Sequence, residues 1–268
     1  MINITFSTCW YNFKAKFPSE TYLQWIDNML SNVNNYYLVV YTDAQGYTML
    51  KQYETDKIKM IIKDPEQFYN YKYKTHWIKN HQNNPLLNTK VDWKVNMLWS
   101  EKVHFVNETV QRQYFNTEFY GWCDIGYFRN RQIDLTKEQL KQWPTPDKIN
   151  QLNKDNVYYA LVNQDVAFIN QLYLFIQHKN KNGLPTQQIP ANQISVAGGF
   201  FVLHKDKIQW WKETFDNKLH TYFMNNYLVK DDQIIVIDCI FSDINNFALQ
   251  KESHPVYDNW FLFQRALL

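Results

Sequence analysis

The first apolar stretch of the chain alternates: between residues 2 and 9 hydrophobic and polar side chains take turns, the period of a strand. Pro18-Ser19-Glu20 then starts a helix in which Tyr22, Leu23, Ile26, Met29 and Leu30 share one face. Residues 36–42 are continuously apolar, the pattern of a parallel strand buried on both faces. Asp43 stands at its carboxyl end, with a turn at Gly46 beyond. A third strand is predicted at 58–62, and Asp64-Pro65 caps the next helix, proline in the first turn costing no needed donor. Val91, Val95, Leu98, Trp99, Val103 and Val106 recur at helical spacing, which predicts a helix over 91–106. Another apolar run ends at Asp124. Strand and helix alternate to this point, which implies right-handed βαβ units and a mostly parallel sheet.

Beyond Asp124 the texture changes. Trp143-Pro144-Thr145-Pro146 is a rigid loop, and 157–162 a strand. Residues 165–179 form a helix that turns Phe168, Ile169, Leu172, Phe175 and Ile176 inward. The longest loop runs over 181–193 and is a candidate mobile lid. A strand over 194–204 is interrupted by Gly198-Gly199, a long helix extends to about residue 227, and a shorter one opens at Asp231-Asp232. No repeat or low-complexity segment breaks the chain. It is expected to form one domain over 1–268, with a ligand-binding half (1–130) and a second binding half (131–268).

Composition narrows the function. Aromatic residues make up 18% of the 268, including 10 Trp and 19 Tyr, more than a core requires. Surplus Trp and Tyr suit ring-shaped ligands, because each offers an apolar face with a polar tip. The net charge is +2 without a dense Lys/Arg block, which argues against nucleic-acid binding by phosphate neutralisation. Cys9, Cys123 and Cys239 are widely spaced and odd in number, fitting neither a zinc pattern nor a disulfide framework. The amino-terminal residues lack a secretory pattern and no run is long enough to span a membrane, so a soluble, cytoplasmic or otherwise intracellular protein is expected.

The chemistry concentrates in a few places. In Trp122-Cys123-Asp124-Ile125-Gly126-Tyr127-Phe128-Arg129 a strand-end acid is followed by an arginine. An acid there suits a metal ion or a ribose, the arginine a phosphate; the plainer alternative is an Asp-x-Gly turn. Gly198-Gly199 marks a bulge or a close backbone approach by a ligand. Asp231-Asp232 either caps its helix or supplies a base to a cleft. Lys102 is either solvated or reaches a phosphate, and Asp43 either accepts from a base or ribose or starts its turn. His254 in Ser253-His254-Pro255 either completes a metal site or is solvated.

Taken in order, Asp43, Lys102, the Trp-x-Asp-x-Gly-Tyr-x-Arg stretch, Ala-Gly-Gly-Phe-Phe and Asp-Asp-Gln resemble GT-A-type glycosyltransferases, and more narrowly the HtrL/YibB-like family. The resemblance spans residues 4 to about 241. It implies a GT-A-like (Rossmann-like) α/β fold and a nucleotide-sugar donor bound by Asp43, Lys102, Asp124, Gly126, Arg129, Gly198 and Gly199. It also implies a hydroxyl acceptor, on a glycan or another molecule, in the second half, with Asp232 or Asp231 as catalytic base. Asp124 takes the place of the leading acid of the metal-binding Asp-x-Asp motif, so Mn²⁺ or Mg²⁺ is implied, with His254 as a further ligand. Gly126 stands where the second acid would be. Weaker metal dependence is therefore expected, with Arg129, Arg131 or Lys102 neutralising the diphosphate. The rival reading is a non-catalytic carbohydrate- or nucleotide-binding protein of the same fold, favoured by Gly126 as the enzyme is favoured by Asp231-Asp232. Between these two acids, adjacent helical positions project about 100° apart, so Asp231 is expected to cap and Asp232 to face the acceptor.

Overall fold

A computed structural model describes residues 2–268. Seven strands form one sheet: β1 (Ile4–Trp10), β2 (Tyr37–Thr42), β3 (Ile58–Ile62), β4 (Phe119–Cys123), β5 (Val157–Ala160), β6 (Phe200–His204) and β7 (Phe247–Gln250). Their spatial order is β3-β2-β1-β4-β6-β5-β7. β6 runs antiparallel to both neighbours and every other pairing is parallel. This is the expected mixed, mostly parallel α/β sheet flanked by helices. Because β6 reverses direction twice over, β5 points the same way as β1 and β4, and their carboxyl ends share one edge.

Side chains leave successive strand positions on opposite faces, and the core divides accordingly. Val39, Tyr41, Tyr120, Trp122, Tyr159, Phe201 and Leu203 pack on one side. Their cover is the helices α3 (Lys74–Gln82), α4 (Trp93–Gln111), α7 (Val166–Gln177), α8 (Ile208–Met224) and α9 (Asp232–Ser242). Phe6, Leu38, Val40, Cys123, Phe200 and Val202 pack on the other, against α1 (Ser19–Leu30), the Trp143 loop and the short C-terminal α10 (Leu262–Ala266). The remaining helices, α2 (Ala44–Leu50), α5 (Lys137–Leu140) and α6 (Pro146–Asn150), are one or two turns long. Trp77, Trp122, Trp143 and Trp211 are all fully buried, so much of the aromatic surplus is core.

Several expectations shift. The alternating run forms β1, which is central and buried throughout despite its polar positions. Two of its polar positions are satisfied internally, Ser7 Oγ to Thr109 Oγ1 at 2.8 Å and Thr5 Oγ1 to Thr117 Oγ1 at 2.9 Å, while Thr8 Oγ1 is buried without a partner. The chain after Asp64 forms two 3₁₀ turns before α3 begins. Of the strand expected over 194–204, only Phe200–His204 pairs regularly; the residues before it bend toward Lys102 and the acids. The 181–193 loop is tied down rather than lid-like. Leu184 is fully buried, Tyr227 Oη donates to the Pro185 carbonyl at 2.7 Å, and the Leu228 amide donates to Gln188 Oε1 at 2.9 Å. The three cysteines are free and buried. No helix among the described residues is long and apolar enough to cross a membrane.

Candidate functional site

Strand order reverses between β1 and β4: the chain winds from β1 outward to β2 and β3, then returns to lay β4 on β1's other flank. Helices leave on opposite sides of such a point, so the strand ends are left uncovered and a crevice forms there. A cleft of about 130 Å³ lies there, floored by the ends of β1 and β4 and walled by α1, α4 and the segment after β1. Trp10, Tyr22, Trp25, Trp99 and Trp122 supply aromatic walls.

Lys102, from α4, organises the polar side of this cleft. Its ammonium is 3.2 Å from Asp124 Oδ1 and 3.3 Å from Asp232 Oδ2, and donates to the Gly198 carbonyl at 2.8 Å. One positive charge is thus shared by two carboxylates, leaving one negative charge in excess. Burial favours the neutral amine, but the two carboxylates outweigh it and hold Lys102 above the ordinary lysine range. Asp124 is the accessible member, its side chain 41% exposed, and Trp122 Nε1 donates to its Oδ1 at 2.6 Å. Asp232 is buried; burial first, then repulsion from Asp231 and Asp124, push its pKa up to about 6 against the pull of Lys102.

The glycines find their reason here. A Cβ at Gly198 would lie 2.9 Å from Asp232 Oδ2, and one at Gly199 3.1 Å from Asp124 Oδ2. Close backbone approach is therefore the cause, as one alternative held, but the neighbours are the protein's own carboxylates. A Cβ at Gly126 would lie 2.8 Å from Trp25, so a second acid has no room beside that indole.

The other candidates divide. Arg129 lines the cleft with its guanidinium over Trp25 at 4.4 Å and Phe261 at 4.8 Å, and Nε donates to the Gly126 carbonyl. Arg131 is committed elsewhere, 2.8 Å from both Asp134 and Asp258, so it is withdrawn as a phosphate ligand. Asp43 is the N-cap of α2, accepting from the Gly46 amide at 2.7 Å, and does not line the cleft. His254 is exposed against Tyr257, away from the cleft lining. Asp231 corrects the capping expectation. It occupies the N-cap position of α9 but makes no side-chain cap; one oxygen meets Lys230 Nζ at 2.6 Å and Oδ1 is buried without a partner. Its backbone is extended (φ −158°), so the 100° helical spacing does not apply and both acids are buried.

The residues present do not fit a divalent metal. Among the described residues no group of three or more His, Cys, Asp or Glu side chains could hold one. The place between the two carboxylates is taken by the Lys102 ammonium. A hard cation needs several oxygen ligands, and Gly126 cannot be replaced by one without moving Trp25.

Sequence reading expected aromatic walls but missed Lys16 and the particular rings Trp10, Tyr22, Trp25 and Trp99. Lys16 lines the cleft with Nζ over the Trp99 ring at 5.0 Å. Like Arg129, it forms no ion pair with a carboxylate among the described residues. The available signal was position: Trp10 to Phe17 follows the carboxyl end of the first strand and interleaves aromatics with lysines.

No protein-family model matches the chain, and no curated protein does. Among solved structures it is similar to the apo form of mouse xyloside xylosyltransferase 1, at 10% identity and a TM-score of 0.48, over 93% of this chain and 85% of that one.

Proposed function

We propose that the protein is a glycosyltransferase that takes its sugar from a nucleotide-sugar donor, the narrower kinship being with the HtrL/YibB-like family. The observation that carries this reading is the Lys102 ammonium shared by Asp124 and Asp232 beside a cleft with two uncommitted cations and aromatic walls. A base or sugar ring would rest against the Trp and Tyr faces. Arg129 and Lys16 would meet the diphosphate, whose negative charge grows as the glycosidic bond breaks, so cations held in place favour the transition state. At about 130 Å³ the cleft is smaller than the roughly 300–1,000 Å³ of small-molecule sites; the rest of the donor would lie across its mouth.

Attack by the acceptor hydroxyl requires loss of a proton. Asp232, with its pKa raised to about 6, is a base tuned near working pH. Lys102 would hold that carboxylate in place and stabilise its ionised form. In this reading Arg129 and Lys16 neutralise the diphosphate, with no divalent metal required, while Lys102 is held by Asp124 and Asp232. Asp124, Gly198 and Gly199 set the position of Lys102, and Asp43 acts through the turn it caps. Donor contacts fall mainly in residues 1–130 and the base in 131–268.

The test is a donor-hydrolysis and transfer assay over a panel of nucleotide sugars, with EDTA and with added Mn²⁺, on wild type and Asp124→Ala. Activity that survives EDTA and is lost in a normally folded Asp124→Ala supports the reading. Activity abolished by EDTA and restored by Mn²⁺ overturns the metal-free version. Gly126, pressed against Trp25 where a second acid would stand, favours one alternative, a non-catalytic nucleotide- or carbohydrate-binding protein; saturable binding with no turnover of any donor would select it.

A further inference from the structure

A second groove, of about 480 Å³, lies farther along the same sheet edge, between α7 and residues 190–194. Asn163, three residues past the end of β5, sits at its base. Phe168, Gln171, Leu172 and Phe175 come at i, i+3, i+4 and i+7, so they form one stripe of α7 facing the groove. Asn192 and Gln193 close the opposite side.

We propose that this groove binds a neutral saccharide. No charged side chain lines it, so it offers nothing to balance a phosphate or carboxylate. Four carboxamides line it instead, and each both donates and accepts, as a sugar hydroxyl does. Gln193 Oε1 is buried with no partner, so it makes a hydrogen bond to a ligand only if the side chain turns into the groove. The Phe168 and Phe175 rings are half-buried and supply apolar faces for the C–H side of a pyranose. The volume falls within the range of ordinary small-molecule sites.

Its position gives the saccharide a role. Ile194 at the groove and Gly198 at the Lys102 cluster are four residues apart in the chain, so their Cα atoms are separated by at most about 14 Å. A bound glycan long enough to cross that gap would present a hydroxyl near Asp232 and serve as acceptor. That role rests on the glycosyl-transfer reading; saccharide binding itself does not.

The experiment is NMR on ¹⁵N-labelled protein, following the side-chain amide signals of Asn163, Gln171, Asn192 and Gln193. The probes are methyl glycosides and disaccharides of glucose, galactose, xylose and N-acetylglucosamine, with glucuronate, inorganic phosphate and a neutral peptide as contrasts. At least one neutral sugar should shift these signals saturably. Phe175→Ala and the exposed Gln171→Ala should each weaken that binding roughly tenfold. Gln171→Ala, on the surface, keeps the fold if Phe175→Ala does not. No response to any neutral sugar, an equal response to phosphate or glucuronate, or a response to the peptide alone overturns the proposal. Uridine diphosphate, followed through the indole signals of Trp99 and Trp122, reports the first cleft separately. Sugar shifts without nucleotide shifts would sink the donor reading and leave this one standing.

Discussion

Two buried aspartates on one helix, Asp232 and Asp238, meet opposite electrostatic fates. Asp238, at the middle of α9, is fully buried and receives Lys179 at 2.6 Å, Lys218 at 3.0 Å, Tyr222 Oη at 2.8 Å and Ser242 Oγ at 3.0 Å. These partners come from α7's end, α8 and α9 itself, so the charge ties three elements together and its oxygens are satisfied. Asp232, at the helix's first position, shares its single ammonium with Asp124 and is pushed toward protonation. A buried carboxylate with more donors than it needs is a structural tie. One kept short of positive charge at a sheet edge is able to take up a proton, which a base must do.

The sharpest way to break this contrast is to neutralise both acids. Asp232→Asn should cut turnover by roughly 10²–10⁴-fold without lowering the melting temperature at neutral pH, because Asp124 still balances Lys102 and a desolvated charge is removed. Asp238→Asn should do the reverse. It strands two lysines beside a neutral amide and should cost up to about 3–5 kcal/mol of stability, with turnover per folded molecule unchanged. Measuring kcat and urea unfolding on both variants decides it; if Asp238→Asn is the catalytically silent variant only because it is also harmless to stability, the contrast fails.

Lys102→Met should cost about as much as breaking any buried pair, roughly 3–5 kcal/mol, since it leaves two carboxylates unbalanced. Adding Asp124→Asn removes one of them, so the double variant should recover part of the loss, with a coupling of about 0.5–3 kcal/mol in a double-mutant cycle. Strict additivity would show that the three groups do not act together.

Gly126→Asp restores the acid pair in sequence but presses on Trp25. Overpacking should destabilise the protein by roughly 1–3 kcal/mol, and Mn²⁺ should not rescue it in thermal-shift measurements. Metal-dependent stabilisation would show that Trp25 yields and that a metal site is within reach.

The smallest effect is the pH profile. Asp232 must be ionised to accept a proton, so kcat/KM should fall with acid around a midpoint near 6, about half the plateau value remaining there. For stability the sign is opposite. Its folded pKa is raised, so its favourable contribution is complete below about pH 4 and is lost as pH rises through about 6. Asp232→Asn should flatten both curves.

Much of the architecture follows from the chain's local pattern. The apolar run at 36–42 forms β2 with little change, because a strand buried on both faces must be apolar whatever packs on it; 58–62 forms the edge strand β3, which buries Ile58 and Met60 and leaves Lys59 exposed. Asp124's place at the end of β4 was legible from the apolar run before it; that Lys102, Gly198 and Asp232 belong with it was implied only by the resemblance, and they lie together. The anchoring of the 181–193 loop by Tyr227 and Leu228, and Arg131's hold on Asp258, were not legible, because each depends on a partner from a distant part of the chain; Asp231's failure to cap turns on its extended backbone and on the neighbouring Lys230.

What the sequence by itself determined is the period of each element and the supply of acids, lysines and glycines near the strand ends, since periodicity and turn chemistry are local. What only the tertiary structure decided is which charges are shared and which are spent. Lys102 meets Asp232 across 130 residues of chain and Gly126 is small because Trp25 lies over it. Coulomb energy and steric exclusion depend on distance in space, which no spacing in the sequence records.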